Sequence, residues 1–316
     1  MPLFRKQGAI EISINGPGNI WLQTPSGYER QSLKGFEPDP EWARRLCSYL
    51  ANSNGLVFTD NSPALGCVMP GGHRFQAVLG SENVASGFAI SIRVKRRTTL
   101  EAKDWGWTAD RTFPAMNRAG PRNAPLSGDS ATLEHILEAI RQGKAVLVSG
   151  GTGTGKTTFL NKVLMPVIPE NRRVVTLEDT REVDVLQPNS VSLLVSRSRE
   201  GHGLRMTYAD AIDAVTRLNP DVVIPGEVSV DNAYPVVRLL NTGHSCLIST
   251  IHANNPLEAF EAFRRNIELA GHHPHGVVEF LSRAIAGIVQ LSFNHETRKP
   301  GIVAIATPDQ LDLGAL

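Results

Sequence analysis

No apolar run in this 316-residue sequence approaches the ~20 residues that a membrane-spanning helix needs. The opening MPLFRKQGAIEISING has no long apolar stretch behind its basic residues, so it does not read as a secretory signal. Cysteine is scarce. Cys47, Cys67 and Cys246 are odd in number and widely spaced, and no C-x-x-C pair occurs. That pattern suggests neither a disulfide framework nor a zinc site, and it predicts three reduced thiols in a cytosolic protein. An excess of charge is also missing: 32 basic and 31 acidic residues leave a formal net charge of +1. Such a balance supplies no global attraction to polyanions, and direct nucleic-acid binding is not predicted. Arg93, Lys95, Arg96 and Arg97 form the one conspicuous basic run, which reads as the solvated start of a linker.

What is present is the composition of an ordinary globular protein, 41% hydrophobic and 20% charged, with length for two domains. The first part is β-rich. Ile10, Ile12 and Ile14 alternate with polar residues at the period of a half-buried strand. Asn15-Gly16-Pro17-Gly18 turns the chain, and Ile20-Trp21-Leu22 returns. A helix is predicted over 39–51, and further strands over 74–79 and 88–94. Residues 98–128 are rich in charge, Pro, Asn and Gly and read as an interdomain linker. Beyond them helices and strands alternate, which predicts an α/β domain with a mostly parallel sheet. Helices are expected to end at Gly143, to follow the glycine loop through Leu164, and to cover 208–218, 233–240, 257–269 and 277–286. Strands are expected at 145–148, 174–177, 222–224 and 246–250. The division is therefore an N-terminal α+β domain over 1–97, a linker over 98–128 and a nucleotide-binding domain over 129–316.

Gly150 to Thr157 reads GGTGTGKT and fits G-x-x-x-x-G-K-[ST], with a second threonine at Thr158. In such loops backbone N–H groups converge on phosphate oxygens, and the following helix aims its positive end at them. Gly151, Thr152, Gly153, Thr154, Gly155, Lys156, Thr157 and Thr158 are thus the candidate nucleotide contacts, with ATP as ligand. Lys156 is placed to reach the β- and γ-phosphates, and the Thr157 hydroxyl to bind Mg²⁺. The run 174–177 ends in Glu178-Asp179. Carboxyl ends of strands face the ligand crevice in open parallel sheets, so either acid is a candidate general base. The run 222–224 ends in Pro225-Gly226-Glu227, where Glu227 is a candidate to hold Mg²⁺ through water or to activate the attacking water. Pro225 lacks an N–H and weakens a central strand at that point. Finally, 246–250 leads to His252, a candidate sensor of the γ-phosphate.

These four segments, in this order, resemble the type II/type IV secretion ATPase superfamily. Leu177 to Val183 resembles its aspartate box. Arg217 to Glu227 resembles its Walker B, in which glycine replaces the usual aspartate. Asn241 to His244 with Ser249 to Asn254 resembles its histidine box. Ser13 to Gln23 is similar to the opening strands of the type IV secretion and conjugation branch. The lack of paired C-x-x-C motifs sets the chain apart from type II assembly ATPases. The resemblance implies a RecA-like C-terminal domain and a cytoplasmic homo-hexamer. That hexamer would hydrolyse ATP with Mg²⁺ and dock peripherally on inner-membrane secretion components. It implies Lys156, Glu178, Glu227 and His252 as catalytic residues, and Arg74 and Arg93 as arginines reaching the nucleotide from the N-terminal domain. Arg197, Arg199 and Arg205 are weaker candidates for that task. Two departures stand out: Ser229 occupies the place of an arginine, and Pro225 precedes Gly-Glu. They motivate an alternative, a nucleotide-dependent adaptor with little turnover. A pilus retraction or DNA-uptake motor is the other alternative, and a helicase is a third.

Overall fold

The computed structural model describes residues 2–95, 105, 133–196, 206–243, 246–294 and 299–315. The chain divides into two compact units, Met1–Thr98 with Ser198–Thr207, and Thr99–Arg197 with Tyr208–Leu316. Most of the linker predicted over 98–128 lies outside the described residues, as do Arg96, Arg97, Arg197, Arg199, Arg205 and His244.

The first unit is an antiparallel sheet covered by one helix. Its strands are β1 (Glu11–Ile14), β2 (Ile20–Thr24), β3 (Gly27–Gln31), β4 (Ala64–Met69), β5 (His73–Leu79) and β6 (Phe88–Arg93), in the order β3-β2-β1-β6-β5-β4. Helix α1 (Pro40–Ser53) starts at Asp39, whose carboxylate accepts the Trp42 amide at 2.7 Å, with Pro40 in the first turn. That is the favoured chemistry for a helix start. Ile12, Ile14, Leu22, Phe75 and Ile92 point from the sheet into a core shared with Ala43, Cys47 and Leu50 of α1. Each fully buried side chain of this kind contributes about 1.5–3 kcal/mol. Two of these strands, β3 and β4, have no counterpart in the sequence expectations. All five β3 residues are exposed or nearly so, so the strand carries no apolar alternation to read; its pairing with β2 alone defines it.

The second unit is an α/β layer structure. Its strands are β7 (Ala145–Gly150), β8 (Val174–Glu178), β9 (Ser190–Ser196), β11 (Val222–Pro225), β12 (Ile248–Ile251), β13 (Ile285–Asn294) and β14 (Lys299–Ala306); the two-residue β10 (Met206–Thr207), between β9 and β11 in the chain, falls in the first unit's second stretch. Strand β8 runs parallel to β9 and β11, and β7 runs parallel to β12 and β13. Strand β14 is antiparallel to β13. A parallel bridge between Val223 and Leu247 joins the two sets. Alternate residues face opposite cores. Ala145, Leu147, Val175 and Val223 pack with helices α4 (Tyr208–Leu218), α5 (Ala233–Asn241), α6 (Pro256–Leu269) and α7 (Val277–Ala284). Val146, Val148, Val174 and Ile224 pack with α2 (Leu133–Arg141) and with Phe159, Leu160 and Leu164 of the helix that follows the glycine loop. Burial on both faces explains why these strands are short continuous apolar runs.

Two expectations are corrected here. The last predicted helix, 277–286, stops at Ala284, and Ile285 turns extended (φ −89°, ψ 124°) to begin β13. The ladder with β7, in which Ile285 partners Ala145, outweighs the helical preference of the alanines. The second concerns Pro225, which sits inside the sheet beside Leu177 of β8. Its carbonyl accepts the Ser249 hydroxyl at 2.7 Å, and the Gly226 carbonyl accepts the Thr250 hydroxyl at 2.9 Å. Side chains of β12 thus hold β11 where a proline cannot donate to an amide ladder. Ser249 is fully buried. Ser249→Ala leaves the Pro225 carbonyl without its partner and should cost about 1–3 kcal/mol, read as a lower denaturation midpoint; an unchanged midpoint would show that this bond carries no stability.

Candidate functional site

Four strands of the second unit deliver their carboxyl ends to one place. Strand β7 runs directly into the glycine loop. Gly150 is its last residue, and a Cβ there would lie 2.6 Å from Thr154 Oγ1 and 2.8 Å from the Leu291 carbonyl, so only glycine fits. Gly155 has a left-handed backbone (φ +83°), and a Cβ there would lie 2.9 Å from the Trp105 ring. Trp105 is buried and packs edge-on against Phe159, with ring centroids 5.1 Å apart. The loop is closed on itself by the Thr154 hydroxyl, which donates to the Gly151 carbonyl at 2.9 Å. Thr152 and Gly153 are exposed at its tip, while Thr157 and Thr158 are half-buried on the first helical turn.

Lys156 opens helix α3 (Lys156–Phe159) and is only 8% exposed. A buried ammonium must be hydrogen-bonded. Its Nζ donates to the carbonyls of Gly150 at 2.8 Å and Gly151 at 2.9 Å, and lies 3.3 Å from His252 Nδ1. Since the ammonium can only donate, Nδ1 accepts, which places the imidazole proton on Nε2. That Nε2 faces Glu227 Oε2 at 3.7 Å. Lysine, histidine and glutamate from three segments therefore form one chain. His252 stands at the exit of β12. The loop behind it is fastened by the Ala253 carbonyl, which accepts from Gln290 Nε2 at 3.2 Å. The Glu227 carbonyl accepts the Asn232 side-chain amide at 2.7 Å, and Asn232 Oδ1 accepts the Ser229 amide at 2.8 Å.

Glu178 ends β8 and is 3% exposed. Burial pushes its carboxyl up to about 7, and the nearby Glu182 and Asp179 charges push the same way. Opposing this, Oε1 accepts the amides of Glu182 at 2.8 Å and Val183 at 2.9 Å. Oε2 is buried with no hydrogen-bond partner among the described residues. The side chain lies against the next strand, where a Cβ on Gly226 would come within 3.1 Å of Glu178 Cγ. A side chain in place of Gly226 would thus crowd Glu178, which would have to give way by a few tenths of an ångström.

Glu182 lies inside the 177–183 segment, which gives no reason to single it out, yet its Oε2 accepts the Thr157 hydroxyl at 3.4 Å. It reaches Thr157 only because the chain turns back after β8. Arg74 and Arg93, in contrast, belong to the first unit, where they are direct cross-strand partners on β5 and β6. Glu11 of β1 lies opposite Arg93 on its other side. Among the described residues no cluster of three His, Cys, Asp or Glu side chains would hold a metal ion by itself. One hydroxyl with carboxylates nearby suits Mg²⁺, which keeps several waters and takes phosphate oxygens as ligands.

A glycine loop at the carboxyl ends of parallel strands, backed by acidic strand exits, is the arrangement of the P-loop nucleotide-binding class. The model of the type II/IV secretion system protein family matches residues 123–291. That is more than half of the chain, and the chain belongs to this family. PtlH, a type IV secretion system protein of Bordetella pertussis (strain Tohama I), is 30% identical over 280 residues, covering 86% of this chain and 80% of PtlH. The type IV secretion system protein VirB11 of Bartonella quintana is 27% identical over 278 residues, covering 81% of this chain and 76% of its own. The chain thus falls on the type IV side of the family. The crystal structure of the pilus retraction motor PilT with bound ADP shares the fold, with a TM-score of 0.57 at 20% identity over 90% of this chain and 74% of that one.

The Glu178 proton yields a pH prediction. Its folded-state pKa, about 7, lies above the ordinary carboxylate value of 4.5. Its contribution to stability is therefore complete below about pH 4.5 and is lost as pH rises through about 7. Relative to the wild type, the melting temperature of Glu178→Gln should shift in the variant's favour between pH 5 and pH 8. A constant difference across that range would mean that Glu178 titrates as an ordinary carboxylate.

Proposed function

We propose that this chain is an ATPase that powers substrate transfer or pilus assembly in a bacterial type IV secretion or conjugation system. The observation that carries this reading is the chain Lys156–His252–Glu227, which ties the phosphate loop to the exit of an acidic strand. Gly151 to Thr158 cradle the triphosphate through main-chain amides, with Lys156 turning from the loop carbonyls toward the β- and γ-phosphates. His252, hydrogen-bonded to that lysine, registers the γ-phosphate. Glu227, partly exposed beside Nε2 of His252, orients the attacking water. Glu178, with its raised pKa, is a second acid suited to proton transfer near neutral pH. Thr157, and Glu227 through water, would hold magnesium, with the Glu182 carboxylate beside them. When bound, that ion neutralises phosphate charge.

The second unit is read as RecA-like. The domain division is kept at 1–97, 98–128 and 129–316. Arg74 and Arg93 are assigned, by resemblance, to neutralising phosphate charge from the N-terminal domain. The working assembly is a cytoplasmic homo-hexamer, peripheral at the inner membrane and docked through secretion components. No helix among the described residues is long and apolar enough to cross a membrane. A retraction or DNA-uptake motor of the same family would be told apart from this reading by its partners.

The low-turnover adaptor is favoured by Ser229 and Pro225. Two contacts speak against it: Asn232 fixes the Glu227 main chain without an arginine at 229, and Ser249 holds Pro225. Steady-state phosphate release decides between the two. The wild type should turn over, Lys156→Ala should not, and Glu227→Gln should fall by roughly 100-fold or more, as expected when a group acting only in the transition state is lost. Wild-type turnover no faster than that of Glu227→Gln would make the chain an adaptor.

A further inference from the structure

The helix behind the glycine loop is α-helical for a single turn. Leu160–Leu164 is a π-turn, in which the Met165 amide donates to the Leu160 carbonyl five residues back. Such turns insert one residue into the helical path and occur frequently at functional sites. Here the widened turn contains Asn161, whose carboxamide reaches across to the segment after β8. Its Nδ2 donates to the Glu182 carbonyl at 2.7 Å, and its Oδ1 accepts the Asp184 amide at 3.0 Å. One partner can only accept and the other only donate, so the amide has a single satisfied orientation.

Glu182 is therefore held at three points. Its N–H donates to Glu178, its carbonyl accepts from Asn161, and its carboxylate accepts from Thr157. Thr157 and Asn161 are four residues apart on the same helix and lie on one face of it. They meet the same residue from the same side.

We propose that Asn161 is a positioning residue for the magnesium side of the nucleotide site. By gripping the main chain of Glu182 and Asp184, it sets the distance between the Glu182 carboxylate and the Thr157 hydroxyl. The inference rests on the nucleotide reading above. Asn161→Ala removes both grips. Asn161→Asp keeps the acceptor for the Asp184 amide but turns a carboxylate oxygen toward the Glu182 carbonyl, where a donor stood.

The test is calorimetric titration of the full chain with ADP, in Mg²⁺ and separately in EDTA, for the wild type and both variants. Affinity in EDTA should match the wild type, because the loop and Lys156 are intact. The Mg²⁺ concentration that gives half of the metal-dependent gain should rise roughly 10-fold, as for other residues that orient a metal's ligands. The aspartate variant preserves side-chain size and supplies the same readout if the alanine variant folds poorly. A wild-type Mg²⁺ requirement in the variants, or equal weakening with and without Mg²⁺, would overturn the assignment and leave Asn161 a structural bridge. A wild-type chain that binds no ADP would instead overturn the nucleotide reading itself.

Discussion

A lysine ammonium that is almost out of reach of water must find its acceptors within the protein, and most of the site follows from where it finds them. Lys156 takes two from the loop it belongs to and a third contact from His252. Meeting the third requires the ends of β7 and β12 to be neighbours, which their parallel register provides. His252 then faces Glu227, and that requires β11 to lie beside β12. The order of strands in the sheet is thus the order of groups in the chemistry. The two apolar cores, one on each face, hold the strands in that order without entering the site.

The parts of this arrangement that are legible in the sequence are those whose chemistry is local. The glycine loop can be read because its geometry is written in consecutive residues, and Gly150 and Gly155 meet steric limits that no other residue satisfies. Strands β7, β8 and β11 can be read because burial on both faces leaves continuous apolar runs. Glu182 and Asn161 are different. The resemblance over 177–183 takes in Glu182 without giving it a task, and nothing about an asparagine in the second turn of a helix marks it as part of a site. Their meaning arises from a turn of chain and a π-turn that bring segments about 20 residues apart into hydrogen-bonding distance. Strand β9 escaped for a related reason: its partly polar sequence gains strand identity from the parallel ladder with β8.

The two departures from the family pattern have unequal structural consequences. Pro225 is absorbed by hydroxyls of β12, so the strand exit that carries Glu227 is held by side chains as well as by the backbone. Ser229 leaves its own hydroxyl buried and without a partner among the described residues, while its amide is taken up by Asn232. The main chain around Glu227 is therefore held without an arginine at 229.

Gly226 and Glu178 remain as a pair on adjacent strands. The glycine leaves room for the acid, and the acid fills that room so closely that one added methyl on 226 would press on it. In the terms of inheritance, positions 178 and 226 are linked. A side chain at 226 would displace Glu178 by a few tenths of an ångström, and a shorter residue at 178 would release the amides of Glu182 and Val183. A lineage that altered one would change the setting of the other.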